Sequence, residues 1–200
     1  MRIPVIRGLI DRRILVNYRV KPDVRAGLRP KPVRLNLVNG MGMAGVCLIR
    51  LKHIRPKFLP AFLGISSENA AHRIAVEWDH NGETKQGVFV PRRDTSSRIN
   101  TLLGGRLFPG MHSHATFQVE EHDDNFRVEL TSDDQQTHLL VEGHVAEELP
   151  RDSVFGSLKS VKSSFFDNRE LFPAGSVDFD CALLMQGIDH EWHGRDCLCS

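Results

Sequence analysis

The chain has 200 residues, of which 40% are hydrophobic and 26% charged, and its formal net charge at pH 7 is +1. This composition supplies enough apolar side chains for one core, and we expect a single domain over residues 1–200. A net charge near zero gives no bulk attraction to nucleic acid or to anionic lipid, and no apolar run is long enough to cross a bilayer. We therefore expect a cytoplasmic protein that has neither a nucleic-acid nor a membrane partner.

In the first part of the chain, apolar and polar residues alternate with a period of two, which predicts strands. Residues 22–28 follow the first strand and predict a short helix, because Pro22 suits the first turn of a helix. Residues 56–69 predict a loop, since prolines and a glycine interrupt them. The predicted strands are residues 14–20, VRLNLV and the mostly buried GMAGVCLIRL.

The second part of the chain predicts two hairpins separated by a helix. Asn81-Gly82 is a sequence typical of a tight hairpin turn. Asp94 is expected to cap a helix that ends at Gly104 or Gly105. The paired and later strands are RIAVEWDH with KQGVFV, HATFQVEE with NFRVEL, THLLVEGHVAEEL and SVDFDCALL. Many short strands, few helices and no strand-helix-strand alternation favour an antiparallel barrel or sandwich.

Several stretches together resemble the YqjF-like domain-of-unknown-function branch of the acetoacetate decarboxylase superfamily. They are VNYRVKPDVRAGLRPKPVRL, LVNGMGMAGVCLIRLKHIRP, GISSENAAHRIAVEW, GVFVPRRDTSSRIN, GGRLFPG and SSFFDNRELFPAGSVDFDCALLM, and they cover most of the chain. The resemblance implies a mainly β (α+β) fold, a cone-shaped antiparallel β-barrel with flanking strands and a few short helices. It also implies a pocket for a small oxo acid.

The decarboxylases of this superfamily use a lysine that forms a Schiff base with a β-keto acid. By resemblance, this lysine should follow a segment that Gly105-Arg106 and Pro109 match. The next residues here are Gly110, Met111 and His112, so the amine is absent. We therefore expect no Schiff-base decarboxylation. Glu68 matches a pocket glutamate of the decarboxylases and is the best single candidate for a functional residue, although Ser66–Asn69 is also a good turn sequence.

Relatives carry a further strand-bearing segment between a VFGSL-like stretch and the SSFF stretch. In this chain FGSLKSVKSSFF is continuous, so the segment is missing near residues 158–162. Either the chain has lost it or the sequence omits it. If the chain has lost it, the uncovered barrel edge favours a homo-oligomer or local disorder.

His112 and His114 share one face of their strand, opposite Ala115 and Phe117. If that polar face lines a barrel, the two imidazoles join Glu68 as catalytic candidates for acid–base chemistry or, in a weaker alternative, as metal ligands. The competing interpretation is a pair of rim histidines that bind water.

Arginine side chains suit a bidentate grip on a carboxylate. The candidate ligand-binding residues are therefore Arg92, Arg93, Arg98 and Arg106. The competing interpretation is that Asp94 caps a helix while these arginines lie on a solvated rim or form ordinary salt bridges.

Two functions remain open from the sequence. The first is a barrel that binds a small carboxylate or keto compound and, if it is an enzyme, performs lyase- or isomerase-type proton transfer without a cofactor or a metal. The second is a non-catalytic structural or oligomeric interaction module that kept the barrel and lost the reaction. A metal-dependent enzyme that uses His112 and His114 is a weaker alternative. The cysteines and histidines in the last residues, DHEWHGRDCLCS, are expected to be a frayed tail, and the alternative is a cluster that holds a soft metal.

Overall fold

The computed structural model describes residues 5–21, 33–103, 111–146, 148–149, 151–155 and 177–192. These residues form eleven strands, one short α-helix and one 3-10 turn. The strands are β1 (Ile6–Val20), β2 (Arg34–Leu35), β3 (Leu37–Val38), β4 (Met41–Pro56), β5 (Ile65–His80), β6 (Glu83–Phe89), β7 (Arg92–Thr95), β8 (Met111–His122), β9 (Asn125–Ser132), β10 (His138–His144) and β11 (Val177–Trp192). The 3-10 turn is Ala61–Leu63 and the helix, α1, is Arg98–Leu103. The mainly β prediction is confirmed.

All eleven strands belong to one sheet with the order β10-β9-β8-β7-β5-β4-β1-β11, to which β2, β3 and β6 add local pairs. The pair β7/β8 is parallel, and the other strand pairs are antiparallel. A parallel pair cannot be closed by a tight hairpin, which explains why α1 lies in the connection between β7 and β8. The sheet is therefore mixed at one position and otherwise the antiparallel sheet that the sequence predicts.

The sheet curls so that distant strands face each other across an interior. Arg12 on β1 contacts Glu121 on β8, although β4, β5 and β7 separate these strands within the sheet. Apolar side chains of both halves pack together on the same face: Ile14, Val16, Val46, Leu48, Ala70, Ala115, Val128 and Leu130. Burial of each large aliphatic side chain contributes about 1.5–3 kcal/mol, so this contact stabilises the curl. We call this face of the sheet the interior.

The opposite face of the sheet has its own core. Leu15, Met43 and Cys47 pack there under Phe155, and each is at most 3% exposed. The strands β1 and β4 approach closely at Gly45, where an added Cβ would lie 2.2 Å from the carbonyl oxygen of Val16. The middle of the sheet is therefore covered on both faces.

Both predicted hairpin turns are confirmed. Asn81 and Gly82 have φ angles of 52° and 80° between β5 and β6, as a turn of this type requires. Asp123 has a φ of 52° between β8 and β9. The segment VRLNLV is divided because its partner strand changes: β2 pairs with β5, and β3 pairs with β4. Asn36 lies between them, and its N–H still donates to the carbonyl of Ala75 on β5.

Two local predictions are wrong. The loop predicted for residues 56–69 ends at Gly64, and β5 begins at Ile65, so Glu68 lies in a strand and not in a turn. Asp94 lies in β7 and does not cap α1, which begins at Arg98. The helix predicted for residues 22–28 and the glycine pair at 104–105 lie outside the described residues. No helix in the described ranges is long and apolar enough to cross a membrane.

Candidate functional site

Three neighbouring strands place charged side chains on one rung of the interior. In the register of the sheet, Arg12 pairs with Arg50 and Arg50 pairs with Glu68. Cross-strand partners project on the same side of a sheet, so the three side chains share the interior face. They extend the interior beyond the apolar row that Ile14 and Leu48 form on the next rung.

Glu121 completes this group from the other half of the curl. Glu68 accepts hydrogen bonds from Arg12 Nη2 at 2.6 Å and from Arg50 Nε at 2.5 Å. Glu121 accepts from Arg12 Nη1 and from Arg50, whose Nη1 and Nη2 lie at 3.0 and 2.9 Å. Two guanidinium groups and two carboxylates therefore alternate in a closed arrangement. We call Arg12, Arg50, Glu68 and Glu121 the ion cluster.

The members of the ion cluster differ in exposure. The side chain of Arg12 is 1% exposed and that of Glu68 is 16% exposed, whereas Arg50 and Glu121 are 23% and 26% exposed. Arg12 Nε is buried and has no hydrogen-bond partner among the described residues. Partial burial favours the neutral form of Arg50, but the hydrogen bonds to Glu68 and Glu121 outweigh it and raise the pKa of Arg50. Arg50 is thus held as a cation, and the solvent-exposed part of the cluster belongs to Glu68, Arg50 and Glu121.

A second ion pair lies at the rim of the ion cluster. Lys52 Nζ lies 2.9 Å from Asp11 Oδ2, and Arg50 Nη1 lies 3.6 Å from the same oxygen. The side chain of Lys52 is 41% exposed. This amine therefore lies in water beside the cluster, as expected for a lysine near a strand end.

A separate polar group occupies the interior farther along β5. Asp94 is fully buried and accepts from His72 Nε2 at 2.7 Å and from Arg92 Nε and Nη2 at 2.9 and 2.7 Å. Arg92 also donates to Asp134, with both distances 2.8 Å. Burial opposes ionisation of Asp94, but the bonds from His72 and Arg92 prevail and lower its pKa. His72 is four residues from Glu68, which on a strand separates the two Cα atoms by about 13 Å.

The predicted catalytic residues are not brought together. Glu68 lies in the interior, but His112 and His114 pair in register with Arg93 and Thr95, on the opposite face of the sheet. This histidine face does not line the interior, because Ala115 and Phe117 occupy the interior face of β8, so the condition set for a joint site with Glu68 is not met. His114 Nδ1 lies 2.9 Å from Asp133 Oδ2. A catalytic role of these histidines stays a prediction.

The predicted ligand-binding arginines are also spread out. Arg92 lies in the interior with its guanidinium bound to Asp94 and Asp134, and Arg93 lies on the opposite face. Arg98 is an exposed residue of α1, and Arg106 lies outside the described residues. Their role in binding stays a prediction.

Sequence reasoning missed Arg12, Arg50, Glu121 and His72. A usable signal was present in β4, where Ala44, Val46, Leu48 and Arg50 alternate toward one face. An arginine that continues an apolar row is a candidate for a buried ion pair. The partner of that arginine was not visible, since it depends on the register between strands.

Within the described part of the chain, no group of three or more His, Cys, Asp or Glu side chains is arranged to hold a metal ion. Two surface cavities, of about 420 and 240 Å³, are lined by described residues, and no member of the ion cluster lines either of them.

The sequence profile of the DUF2071 family, described as an uncharacterized conserved protein, matches residues 10–166. This chain belongs to the DUF2071 family. Among curated proteins, none matches the chain.

Solved structures of acetoacetate decarboxylase-like proteins share the fold of this DUF2071 protein. An acetoacetate decarboxylase from Legionella pneumophila superposes with a TM-score of 0.54 at 14% identity, over 82% of this chain and 56% of that chain. An acetoacetate decarboxylase-like enzyme from Sphingomonas wittichii gives 0.53 at 13% identity, over 92% and 79%. The enduracididine biosynthesis enzyme MppR, in complex with pyruvate, gives 0.53 at 11% identity, over 76% and 60%.

These comparisons confirm the acetoacetate-decarboxylase-like fold and the assignment to a family of unknown function. The chain spans 56% of the length of the Legionella enzyme and 60% of the length of MppR. At identities of 14% and below, these superpositions establish the fold. They do not establish the chemistry of this chain, which depends on its own site residues.

Proposed function

We propose that this DUF2071 protein binds a small carboxylate or keto compound at the ion cluster and does not perform Schiff-base decarboxylation. The main support for the proposal is that Arg12 and Arg50 both donate hydrogen bonds to Glu68 inside the curled sheet. Paired guanidinium forks at a partly buried site suit a planar carboxylate, because charge-assisted hydrogen bonds are strong where water is scarce.

The ligand class follows from the charges and from the neighbouring structures. Arginine side chains remain protonated at every relevant pH, so Arg12 and Arg50 are the cationic donors available to a ligand carboxylate. The structural neighbour MppR was solved in complex with pyruvate, which is a small oxo acid. An oxo acid offers both a carboxylate for the arginines and a carbonyl that a neighbouring acid can polarise.

Glu68 is the residue we propose for proton transfer. It lies between both arginines, which orient its two oxygens. A carboxylate held beside a bound oxo acid can remove a proton from the carbon next to the carbonyl and return it, which is the lyase- or isomerase-type step open to this site. The sequence has no lysine between Lys85 and Lys159, so we propose no imine at the position that the superfamily uses.

A non-catalytic structural module is the second candidate. It is favoured by the mutual neutralisation of the ion cluster, in which two carboxylates already satisfy both guanidinium groups. The metal-dependent alternative that uses His112 and His114, the ligand-binding roles of Arg92, Arg93, Arg98 and Arg106, a homo-oligomer and a cytoplasmic location are further proposals that the ion cluster does not require.

Thermal unfolding in the presence of pyruvate, acetoacetate and 2-oxobutyrate tests the proposal. A ligand at 100 times its dissociation constant stabilises the folded state by about 2.7 kcal/mol, which raises the midpoint by about 5–11 °C for a chain of this size. We expect such a rise for at least one oxo acid, its loss in Arg50→Gln, and its retention in Arg34→Gln. Arg34 is a matched control because it also binds two carboxylates, those of Glu77 and Asp79, but on the surface. Equal midpoints with and without every oxo acid would support the structural module.

A further inference from the structure

The two carboxylates of the ion cluster are not equivalent. Glu68 belongs to β5, a central strand, and its backbone N–H donates to Ser96 Oγ at 3.0 Å. Glu121 is the penultimate residue of β8, next to the hairpin turn at Asp123. Glu68 is therefore fixed by the sheet on both sides, whereas Glu121 reaches the arginines from the far half of the curl.

Glu121 binds the arginines as a small carboxylate ligand would. It receives hydrogen bonds from Arg12 Nη1 and from both terminal nitrogens of Arg50. These are the donors that would hold an incoming oxo acid. At 26% exposure, Glu121 is also the most solvent-accessible member of the cluster.

The charge of the site points to the same role. Two guanidinium groups and Glu68 carry a net charge of +1, and Glu121 brings the total to zero. A site of net charge +1 is neutralised by one monovalent anion. In the structure, the carboxylate of Glu121 takes the position of that anion.

We propose that Glu121 is an internal occupant of the anion site, which the carboxylate of a ligand displaces. This inference rests on the proposed function. Glu121 then sets the apparent affinity, because a ligand binds only the fraction of molecules from which Glu121 has left the arginines. It also sets specificity, since a small monocarboxylate replaces Glu121 charge for charge and an uncharged analogue does not.

Titration calorimetry with pyruvate tests the proposal on the full chain. The decisive variant is Glu121→Gln, which removes the charge and preserves the shape of the side chain. Its matched control is Glu120→Gln, which makes the same change of charge on the adjacent residue, whose side chain is 61% exposed and lies near Arg127. Pyruvamide, the uncharged amide of pyruvate, serves as the control ligand. Thermal unfolding of each variant without ligand verifies that it is folded.

We expect Glu121→Gln to bind pyruvate at least about tenfold more tightly than the wild type, while Glu120→Gln binds like the wild type and pyruvamide gains nothing. Wild type and Glu121→Gln binding pyruvate equally, or Glu121→Gln binding it more weakly, would overturn the role of Glu121 and leave the proposed function standing. If Glu120→Gln gained pyruvate affinity to a similar extent, the effect would come from the overall charge, and this would also overturn the role of Glu121. Absence of pyruvate binding by all three proteins would reject both the inference and a pyruvate site at the ion cluster.

Discussion

Replacement of Arg12 by methionine probes the ion cluster directly. Arg12 is the most buried member, and its guanidinium bridges Glu68 and Glu121. Arg12→Met leaves two partly buried carboxylates to share Arg50 alone. Methionine keeps much of the length of the side chain and its apolar stem, so the change removes charge and hydrogen bonds more than volume.

The expected magnitude follows from the burial. Removal of one partner from a buried ion pair costs about 3–5 kcal/mol, because the remaining charge stays desolvated without compensation. Arg12 is 1% exposed, so we expect Arg12→Met to lower the free energy of unfolding by an amount within this range. For a chain of this size the unfolding midpoint falls by about 6–20 °C.

Urea unfolding followed by circular dichroism measures this change. The matched control is Arg34→Met, since Arg34 also contacts two carboxylates from a strand but is 43% exposed. Exposed ion pairs gain little because water screens them, so the control should change stability far less. In addition, Arg12→Met combined with Glu121→Gln should recover part of the loss, because the double variant no longer holds an unmatched carboxylate.

Equal losses for Arg12→Met and Arg34→Met would refute this reasoning, since burial would then not determine the cost. A double variant that loses the sum of the two single losses would show that Arg12 and Glu121 are not coupled. The slope of free energy against urea concentration should stay constant in all variants, which verifies that the surface exposed on unfolding is unchanged.

Three further predictions follow from other parts of the structure. The hydrogen bonds to Asp94 hold its pKa below the unfolded value of about 3.9, so its ionisation contributes stability that is present above about pH 4 and lost as the pH falls through the folded pKa. Asp94→Asn should therefore be less stable than the wild type at pH 7, and urea titrations at decreasing pH should show the two converging below pH 4. Gly45→Ala should lower stability by about 1–3 kcal/mol, because its Cβ would meet the Val16 carbonyl oxygen, whereas Gly143→Ala, with nothing within 4 Å, should change little; equal urea midpoints for the two variants would contradict this. Burial disfavours the thiolate of Cys47, but Arg13 and Arg73 outweigh this effect and lower its pKa. Because Cys47 is only 2% exposed, its sulfur should still resist iodoacetamide at pH 8 until the chain unfolds. Peptide mass spectrometry of the labelled protein measures this reactivity.

The strands and hairpins were predictable because their signals are local. The alternation in HATFQVEE and NFRVEL and the Asn81-Gly82 turn depend on neighbouring residues, and the structure confirms both hairpins. The errors arose where a local signal had two interpretations. Asp94 is a residue type typical of helix caps. In the folded chain, however, its carboxylate binds His72 on β5 and Arg92 on its own strand, β7.

The site was predictable only in part. Glu68 was identified through the resemblance to the decarboxylases, and the structure places it in the interior. Its partners Arg12 and Glu121 are 109 residues apart in sequence and meet only because the sheet curls. The side to which His112 and His114 project depends on the register of β7 against β8, which the sequence does not display.

A crystal structure of this protein grown with pyruvate is the most direct test of the account. We predict pyruvate with its carboxylate hydrogen-bonded to Arg12 and Arg50, its carbonyl beside Glu68, and no covalent bond to a lysine. Pyruvate bound elsewhere, or joined as an imine to Lys52 or any other lysine, would contradict the account.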